Sequence, residues 1–255
     1  MNKFKKNEKS KLFQEIFGLH AVTAALQNPK RQHFELNIIK KYSNLASNLK
    51  KKIKNIKIYN NKDFFKKFGN QNINQGIVLK STYLKQQSFE DFLISEKKNS
   101  HSLILILDQI TDTQNIGSIL RSCSLFGCRG IIVAKNNSPE ITSNIIKSAS
   151  GAVEDVNYIK VTNINRIIKT LKKNKYWIYG LDHLKESKKL SSLISLKTVF
   201  VLGSENSGIR DLIKKECDDI ISLPFKPNNK YKIDSLNVSN AASIAMYEYF
   251  TKYFS

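Results

Sequence analysis

The chain has few cysteines and no long apolar segment. Its three cysteines, Cys123, Cys128 and Cys217, are odd in number and lack the paired spacing of a zinc site. The sequence therefore predicts neither a disulfide framework nor a metal centre. No stretch reaches the roughly 20 consecutive apolar residues that a membrane-spanning helix needs. These absences favour a globular cytoplasmic protein that has no membrane partner.

Acidic residues are scarce relative to basic ones. The chain carries 42 Lys and Arg against 21 Asp and Glu, a net charge of +21. The first 100 residues hold 21 of the basic and 7 of the acidic residues, so most of the excess is N-terminal. This charge predicts a polyanionic partner, although a genome composition that favours lysine would produce the same excess.

Arginine is rare, because lysine outnumbers it 37 to 5. A guanidinium offers a planar fork of donors that lysine cannot reproduce, so the positions that keep arginine are informative. Three of the five, Arg121, Arg129 and Arg210, lie within or beside the glycine-bearing segments described below.

Composition and periodicity divide the chain into four parts. Residues 1–12 form a basic tail that lacks the apolar segment of a secretory signal. Residues 13–80 predict a small α/β domain with a helix at 16–26 and strands at 36–39, 56–59 and 76–80, and with a second helix at 43–52. Residues 81–100 are polar and predict a linker with one short helix, and residues 101–255 form the largest domain.

The C-terminal part alternates strands and helices, which is typical of a parallel α/β sheet. Strands are predicted at 103–107, 131–134, 176–179, 199–202 and 220–223, and helices at 115–126, 163–173, 210–217 and 236–249. Parallel sheets bind ligands beyond the carboxyl ends of their strands, so the loops that follow the strands are the places to search for a site.

Two of these loops combine polar residues with glycine. Residues 108–121 read DQITDTQNIGSILR, with Asn115 near a helix start and Arg121 farther along the same helix. Residues 203–208 read GSENSG, in which glycines permit a sharp turn and a close approach of a ligand. The second loop lacks the lysine of a Walker A motif and does not match the dinucleotide fingerprint.

A third segment, residues 233–245, reads IDSLNVSNAASIA and enters the last helix. Ser235 and Asn237 offer hydrogen-bonding groups at the helix start, and the small residues that follow allow close packing. Taken one at a time, the three segments are more typical of capped helices and ordinary glycine turns than of a binding or catalytic site.

In this order the three segments resemble the signature motifs of the SpoU class of SPOUT RNA methyltransferases. The resemblance runs over residues 101–255 as D-x-x-N-I-G-S-I-L-R, V-L-G-S-E-x-x-G-I, and L-P-F followed by S-L-N-V-S-x-A-A. FGLHAV at 17–22 and QGIV at 75–78 are similar to the ends of the ribosomal-protein-like RNA-binding domain of the SpoU subgroup that methylates large-subunit rRNA. Within the class, the chain most resembles the 23S rRNA guanosine 2′-O-methyltransferases.

The resemblance implies an α/β sheet whose C-terminal segment threads through a loop to form a deep trefoil knot, a rare exception among folds. It implies S-adenosylmethionine bound in a bent form by the backbone of the knot, at Gly203, Leu223 and Leu236. It also implies a reacting centre that a second subunit completes, built from Asn115, Arg121, Glu205, Ser235 and Asn237.

The implied reaction transfers a methyl group from a sulfonium to a ribose 2′-hydroxyl of a 23S rRNA guanosine. The hydroxyl needs its proton removed or polarised, and the family pattern gives this role to Arg121. Arginine stays protonated in proteins, so orienting an RNA phosphate is an equal alternative. The basic loop 226–234 is a few residues longer than the compact loop of the family.

Other functions stay open. The chain could be a non-catalytic RNA-binding or ribosome-assembly protein that keeps the fold, although binding alone has no evident need for all the motif residues. tRNA could replace 23S rRNA or a ribosomal assembly intermediate as the partner, although the N-terminal domain favours rRNA. The chain is also expected to form a homodimer that buries part of the last helix, through Ile244, Met246, Tyr249 and Phe250.

Overall fold

The computed structural model describes most of the chain, namely residues 13–49, 53, 55–69, 74–182, 194–205, 207–224 and 235–254. The predicted basic tail 1–12 and the basic loop 226–234 lie outside the described residues. The knot also stays a prediction, because part of the C-terminal segment lies outside the described residues. Within the described part of the chain, no helix is long and apolar enough to cross a membrane.

The elements alternate along the chain as follows. The strands are β1 (Gln14–Phe17), β2 (His33–Ile39), β3 (Ile56–Tyr59), β4 (Ile77–Ser81), β5 (Ser102–Asp108), β6 (Cys128–Ala134), β7 (Asn157–Val161), β8 (Trp177–Leu181), β9 (Lys197–Gly203) and β10 (Asp219–Ile221). The helices are α1 (Leu19–Gln27), α2 (Ser43–Leu49), α3 (Asn61–Phe68), α4 (Phe89–Glu96), α5 (Thr113–Leu125), α6 (Ser143–Ser148), α7 (Ile164–Lys173), α8 (Asp211–Lys214) and α9 (Val238–Phe254).

The chain divides into two compact units. The first comprises residues 1–85 and 141–154, and the second comprises residues 86–140 and 155–255. The boundary falls inside the predicted linker, whose second half forms α4 in the second unit. Segment 141–154, which the sequence places in the C-terminal domain, contacts mainly the N-terminal residues and joins the first unit.

The first unit contains a four-stranded sheet in the order β1-β4-β2-β3. β4 runs antiparallel to β1 and β2, whereas β3 pairs parallel with β2. The prediction of a helix over 16–26 is wrong at its start, because Ile16 lies in β1 and α1 begins only at Leu19. Gly18 separates them with a φ of 87°, a conformation that favours glycine and ends the strand.

Buried polar contacts hold segment 141–154 in the first unit. The Arg31 side chain is fully buried and forms an ion pair of 2.8 Å with Glu154. The same guanidinium donates a hydrogen bond of 2.6 Å to the Thr82 carbonyl oxygen, and Asn28 Nδ2 donates to Glu154 at 2.7 Å. Removing either partner of such a buried pair would leave an uncompensated charge, so these contacts fix the segment.

The second unit contains a six-stranded sheet in the order β10-β8-β9-β5-β6-β7. Every neighbouring pair in it is parallel, which confirms the predicted parallel α/β sheet. All seven residues of β5 are buried, as expected for the continuous apolar run of a central strand. The sequence missed β7, in which the polar residues Asn157 and Lys160 interrupt the apolar ones, so that it gives no continuous apolar run.

Candidate functional site

The first motif joins the end of β5 to the start of α5. Asp112 is the N-cap of α5, and its carboxylate accepts hydrogen bonds from the backbone N–H groups of Gln114 and Asn115 at 2.6 and 2.9 Å. Such a cap stabilises a helix start, because it satisfies N–H groups that have no partner within the helix. The cap places Asn115 in the first turn of α5, just beyond the carboxyl end of the sheet.

The second motif forms a tight loop after β9. The backbone N–H of Gly208 donates a hydrogen bond of 2.8 Å to the Ser204 carbonyl oxygen, and these two residues form an isolated β-bridge. Gly208 has a φ of 64°, which glycine adopts without strain. A Cβ atom on Gly203 would lie 2.2 Å from the backbone nitrogen of Ile209. The loop therefore requires glycine at both of its ends.

An ion pair to a buried carboxylate fixes the far end of this loop to the neighbouring strand. Asp108, the last residue of β5, is fully buried and lies 2.6 Å from Nη2 of Arg210. Its carboxylate also accepts a hydrogen bond of 3.1 Å from the backbone N–H of Arg210. Sequence reasoning did not assign Asp108, although a carboxylate that ends a fully apolar strand is a recognisable signal, because buried charges need partners.

The three motifs converge through hydrogen bonds between Asn115, Glu205 and Asn237, which we name the polar triad. Asn115 Nδ2 donates to Glu205 Oε1 at 3.0 Å. Asn237 Nδ2 donates to the same oxygen at 2.7 Å and to Asn115 Oδ1 at 3.1 Å. The Asn237 amide is held in turn by Ser239, whose backbone N–H and Oγ donate to Asn237 Oδ1 at 2.9 and 2.6 Å.

A cavity of about 460 Å³ lies beside the polar triad. This volume is within the range of pockets that bind cofactors and other small molecules. It opens where β8, β9 and β10 end and α9 begins, and its walls include six of the eight residues that the sequence selected: Gly203, Glu205, Leu223, Ser235, Leu236 and Asn237. Asn115 joins this group through its hydrogen bonds to Glu205 and Asn237.

Comparison with known proteins shows which family the chain belongs to. Residues 102–247 match the model of the SpoU rRNA methylase family, more than half of the chain. The chain belongs to the SpoU family of RNA methyltransferases. A protein described as a TrmH family tRNA/rRNA methyltransferase of Staphylococcus saprophyticus is 34% identical over 179 residues, 70% of each chain. YacO of Bacillus subtilis, described in the same terms, is 32% identical over 179 residues, again 70% of each chain.

Solved structures of RNA-modifying and SpoU methyltransferases share the fold of this SpoU protein. The SpoU methyltransferase AviRb of Streptomyces viridochromogenes, in complex with the cofactor AdoMet, has a TM-score of 0.76 at 17% identity. The match covers 98% of this chain and 94% of AviRb. An rRNA methyltransferase of Sinorhizobium meliloti has a TM-score of 0.74 at 18% identity and covers 98% and 92% of the two chains.

Arg121 is the predicted residue that the SpoU fold does not bring to the polar triad. Its side chain is exposed on α5, does not line the cavity, and has no hydrogen-bond or ion-pair partner among the described residues. Six residues along a helix rotate by about 600°, so Arg121 and Asn115 lie on different faces of α5. Within one chain, Arg121 is therefore separate from the other predicted catalytic residues.

The remaining arginines clarify why Arg121 is unusual in this SpoU protein. Three arginines pair with carboxylates that the fold buries: Arg31 with Glu154, Arg129 with Glu96, and Arg210 with Asp108. A guanidinium suits such sites because it offers several donors in one plane. Arg166 is exposed on α7, so Arg121 and Arg166 are the two arginines without a structural ion pair among the described residues.

The last helix packs on α5, and part of its predicted surface is buried. Ser122 and Ser243 share a hydrogen bond of 2.7 Å between the two helices. Met246 and Tyr249 are buried inside the second unit, so the expectation that they offer a surface to a partner is wrong. Ile244 is 41% exposed, so its face of α9 is still available for contact with a second copy of the chain.

Proposed function

We propose that this SpoU protein transfers the methyl group of S-adenosylmethionine to a ribose 2′-hydroxyl, at a guanosine of 23S rRNA. The observation that carries the proposal is the polar triad beside the cavity, because three motifs far apart in sequence meet there. The methyl donor is S-adenosylmethionine, which is also bound in the AviRb and Sinorhizobium meliloti structures.

The lining of the cavity fits S-adenosylmethionine. Leu223 and Leu236 provide apolar walls for an adenine ring, and the glycine at position 203 brings backbone atoms to the surface of the cavity. Glu205 adds a carboxylate, which favours a ligand that carries a positively charged sulfur. When bound, the cofactor supplies an electrophilic methyl group.

The polar triad orients the reacting groups in this proposal. Glu205 Oε1 accepts two amide hydrogen bonds, so its carboxylate is fixed at the edge of the cavity. Ser235 lies at the same edge and offers a hydroxyl. Holding the ribose beside the methyl donor lowers the barrier because the reactants no longer need to find each other.

Arg121 completes the centre from a second subunit. It lies apart from the polar triad of its own chain, so a homodimer is needed to bring a guanidinium to the ribose. There Arg121 either polarises the 2′-hydroxyl or holds a neighbouring RNA phosphate. The exposed apolar residues of α9, Ile244 and Tyr247, support a contact between two copies.

RNA binding is assigned mainly to the first unit. The N-terminal 100 residues carry most of the net positive charge, which attracts phosphates. We take the substrate to be 23S rRNA or a ribosomal assembly intermediate in the cytoplasm. tRNA is the second candidate, because the TrmH family relatives are described as acting on tRNA or rRNA, and a solved neighbour from A. aeolicus is a tRNA modifying enzyme (TM-score 0.53, 24% identity, 64% of this chain and 82% of that chain covered).

Methyl transfer in vitro tests the proposal. The purified protein is incubated with methyl-labelled S-adenosylmethionine and with 23S rRNA or bulk tRNA, and 2′-O-methyl sites are mapped as bonds that resist alkaline cleavage. We expect one labelled guanosine in 23S rRNA. Label in tRNA alone would favour the second candidate, and RNA binding without label would indicate a non-catalytic assembly protein. Glu205→Gln should lose transfer, whereas the exposed Glu90→Gln should retain it.

A further inference from the structure

Asp182 contributes a carboxylate to the cavity from outside the three motifs. It follows β8 directly, and its backbone N–H donates a hydrogen bond of 3.0 Å to the Ile221 carbonyl oxygen. Its two carboxylate oxygens would lie 3.4 and 3.5 Å from a Cβ atom on Gly208, so the side chain lies over the loop of the second motif. The carboxylate is therefore placed by two strand ends and a glycine loop.

Lys214 holds this carboxylate in place. The Lys214 ammonium forms an ion pair with Asp182 and donates a hydrogen bond to its carboxylate. This hydrogen bond raises the pKa of Lys214, so Lys214 is positively charged. Asp182 lines the cavity, whereas Lys214 does not. A carboxylate has about four lone-pair positions, so Asp182 can accept hydrogen bonds from a ligand while it keeps its ion pair with Lys214.

We infer that the Asp182 carboxylate accepts hydrogen bonds from the ribose hydroxyls of the bound cofactor. The inference rests on the proposed function, because it takes the cavity as the site of S-adenosylmethionine. In parallel α/β sheets, a carboxylate near the carboxyl end of a strand can pair with the ribose of an adenosine cofactor. Asp182 occupies that position on β8, beside the glycine loop that follows β9.

The neighbouring charge distinguishes the ribose from the other donors of the cofactor. An ionised carboxylate only accepts hydrogen bonds, so the candidates are the ribose hydroxyls, the adenine amine and the methionine ammonium. The Lys214 ammonium beside Asp182 repels a second cation, which disfavours the methionine ammonium and the sulfonium. Two adjacent ribose hydroxyls match the two carboxylate oxygens better than one amine does.

Calorimetry with two ligands tests the inference without reference to activity. The ligands are S-adenosylhomocysteine and its 2′,3′-dideoxy analogue, and the proteins are wild type and Asp182→Asn. We expect wild type to bind the analogue roughly 10- to 100-fold more weakly, because its carboxylate is left without the hydroxyls. Asp182→Asn should bind S-adenosylhomocysteine weakly and discriminate between the two ligands by no more than a few-fold.

Two further variants separate recognition from folding. Lys214→Met breaks the same ion pair but keeps the carboxylate as an acceptor, so it should retain part of the discrimination that Asp182→Asn loses. Asp211→Asn removes a nearby exposed charge and should behave as wild type. Thermal unfolding checks each variant, and Asp182→Glu, which displaces the carboxylate, replaces Asp182→Asn if the latter does not fold.

The outcomes distinguish this inference from the proposed function. A wild-type protein that fails to bind S-adenosylhomocysteine would remove the cofactor from the cavity. Wild type that binds both ligands equally, or an Asp182→Asn variant with full discrimination, would overturn the role of Asp182 and leave the methyltransferase proposal standing.

Discussion

A Cβ atom added to Gly203 would lie 2.0 Å from the carbonyl carbon of Gly208. The sequence predicted that glycine in this loop permits a sharp turn and a close approach of a ligand. The structure shows that the nearest obstacle to a side chain at position 203 is the backbone of the loop itself, whose end is bound through Arg210 to the buried Asp108. Glycine at 203 is thus required first for folding of the site.

Gly203→Ala should destabilise the protein by about 3 kcal/mol, at the upper end of the range for overpacked sites, because the collision is with backbone. Cofactor binding should fall with it. Urea unfolding and calorimetry measure the two effects. Gly127→Ala is the control, since an added Cβ there meets nothing within 4 Å and costs only the strain of a φ of 69°, about 1 kcal/mol. Equal losses in the two variants would contradict the steric explanation.

Arg121→Lys should lower the single-turnover rate of methyl transfer on the order of a hundredfold or more while it spares folding and cofactor binding. Lysine keeps the charge, but one ammonium cannot contact a phosphate and a hydroxyl in the geometry of a guanidinium. Arg166→Lys, at the other exposed helical arginine, is the matched control. An Arg121→Lys rate within a few-fold of wild type would remove Arg121 from the reacting centre.

Neutral substitutions on α3 should weaken RNA binding in a salt-dependent way. Lys62→Gln with Lys66→Gln removes two exposed charges from the first unit. If both contact phosphates, the slope of log affinity against log salt falls by about 1.4. Deletion of the N-terminal residues is a poorer test, because it would leave Glu154 without Arg31. The control is Lys97→Gln with Lys98→Gln, in the second unit. If the α3 variant kept the wild-type slope, the lysines of α3 would reflect the lysine-rich composition of the chain and not contacts with RNA.

Charge substitutions on α9 should dissociate the proposed dimer. Ile244 and Tyr247 are 41% and 52% exposed, and Tyr247 contacts the Phe126 ring at a centroid distance of 5.8 Å. Ile244→Glu with Tyr247→Glu should convert a dimer into a monomer in light scattering and abolish methyl transfer. Leu212→Glu, at a more exposed position of α8, should leave the dimer intact. A monomeric wild type at micromolar concentration would refute the two-subunit site.

The first unit should lose stability in acid through Glu35. Burial raises the pKa of Glu35, but hydrogen bonds from Lys57 and Asn37 and the charge of Lys80 together lower it from 4.5 to about 2. The ionised form is therefore favoured by folding, and its stabilisation is present above pH 4.5 and lost as the pH falls towards 2. At pH 7 the melting temperature of wild type should be higher than that of Glu35→Gln, and the two melting temperatures should converge near pH 2. Glu90→Gln should match wild type throughout.

Local pattern was sufficient to predict the parallel sheet and most of its helices. The apolar run of β5 and the regular spacing of strands and helices appear directly in the sequence, because a strand buried on both faces has few polar residues. The three motifs also gave the members of the polar triad, since they are continuous segments at strand ends. The sequence missed the start of α1, where a single glycine conformation converts the segment around Ile16 into a strand.

The sequence alone therefore determined the family, the sheet and the residue types of the site. Only the tertiary structure decided which distant groups meet: Arg31 with Glu154, Asp108 with Arg210, and Asp182 with Lys214. Hydrophobic period and motif spacing report on neighbours along the chain, whereas ion pairs between residues 32 to 123 positions apart depend on how strands are ordered in the sheet. That order also placed Asp182, which belongs to no motif, in the wall of the cavity.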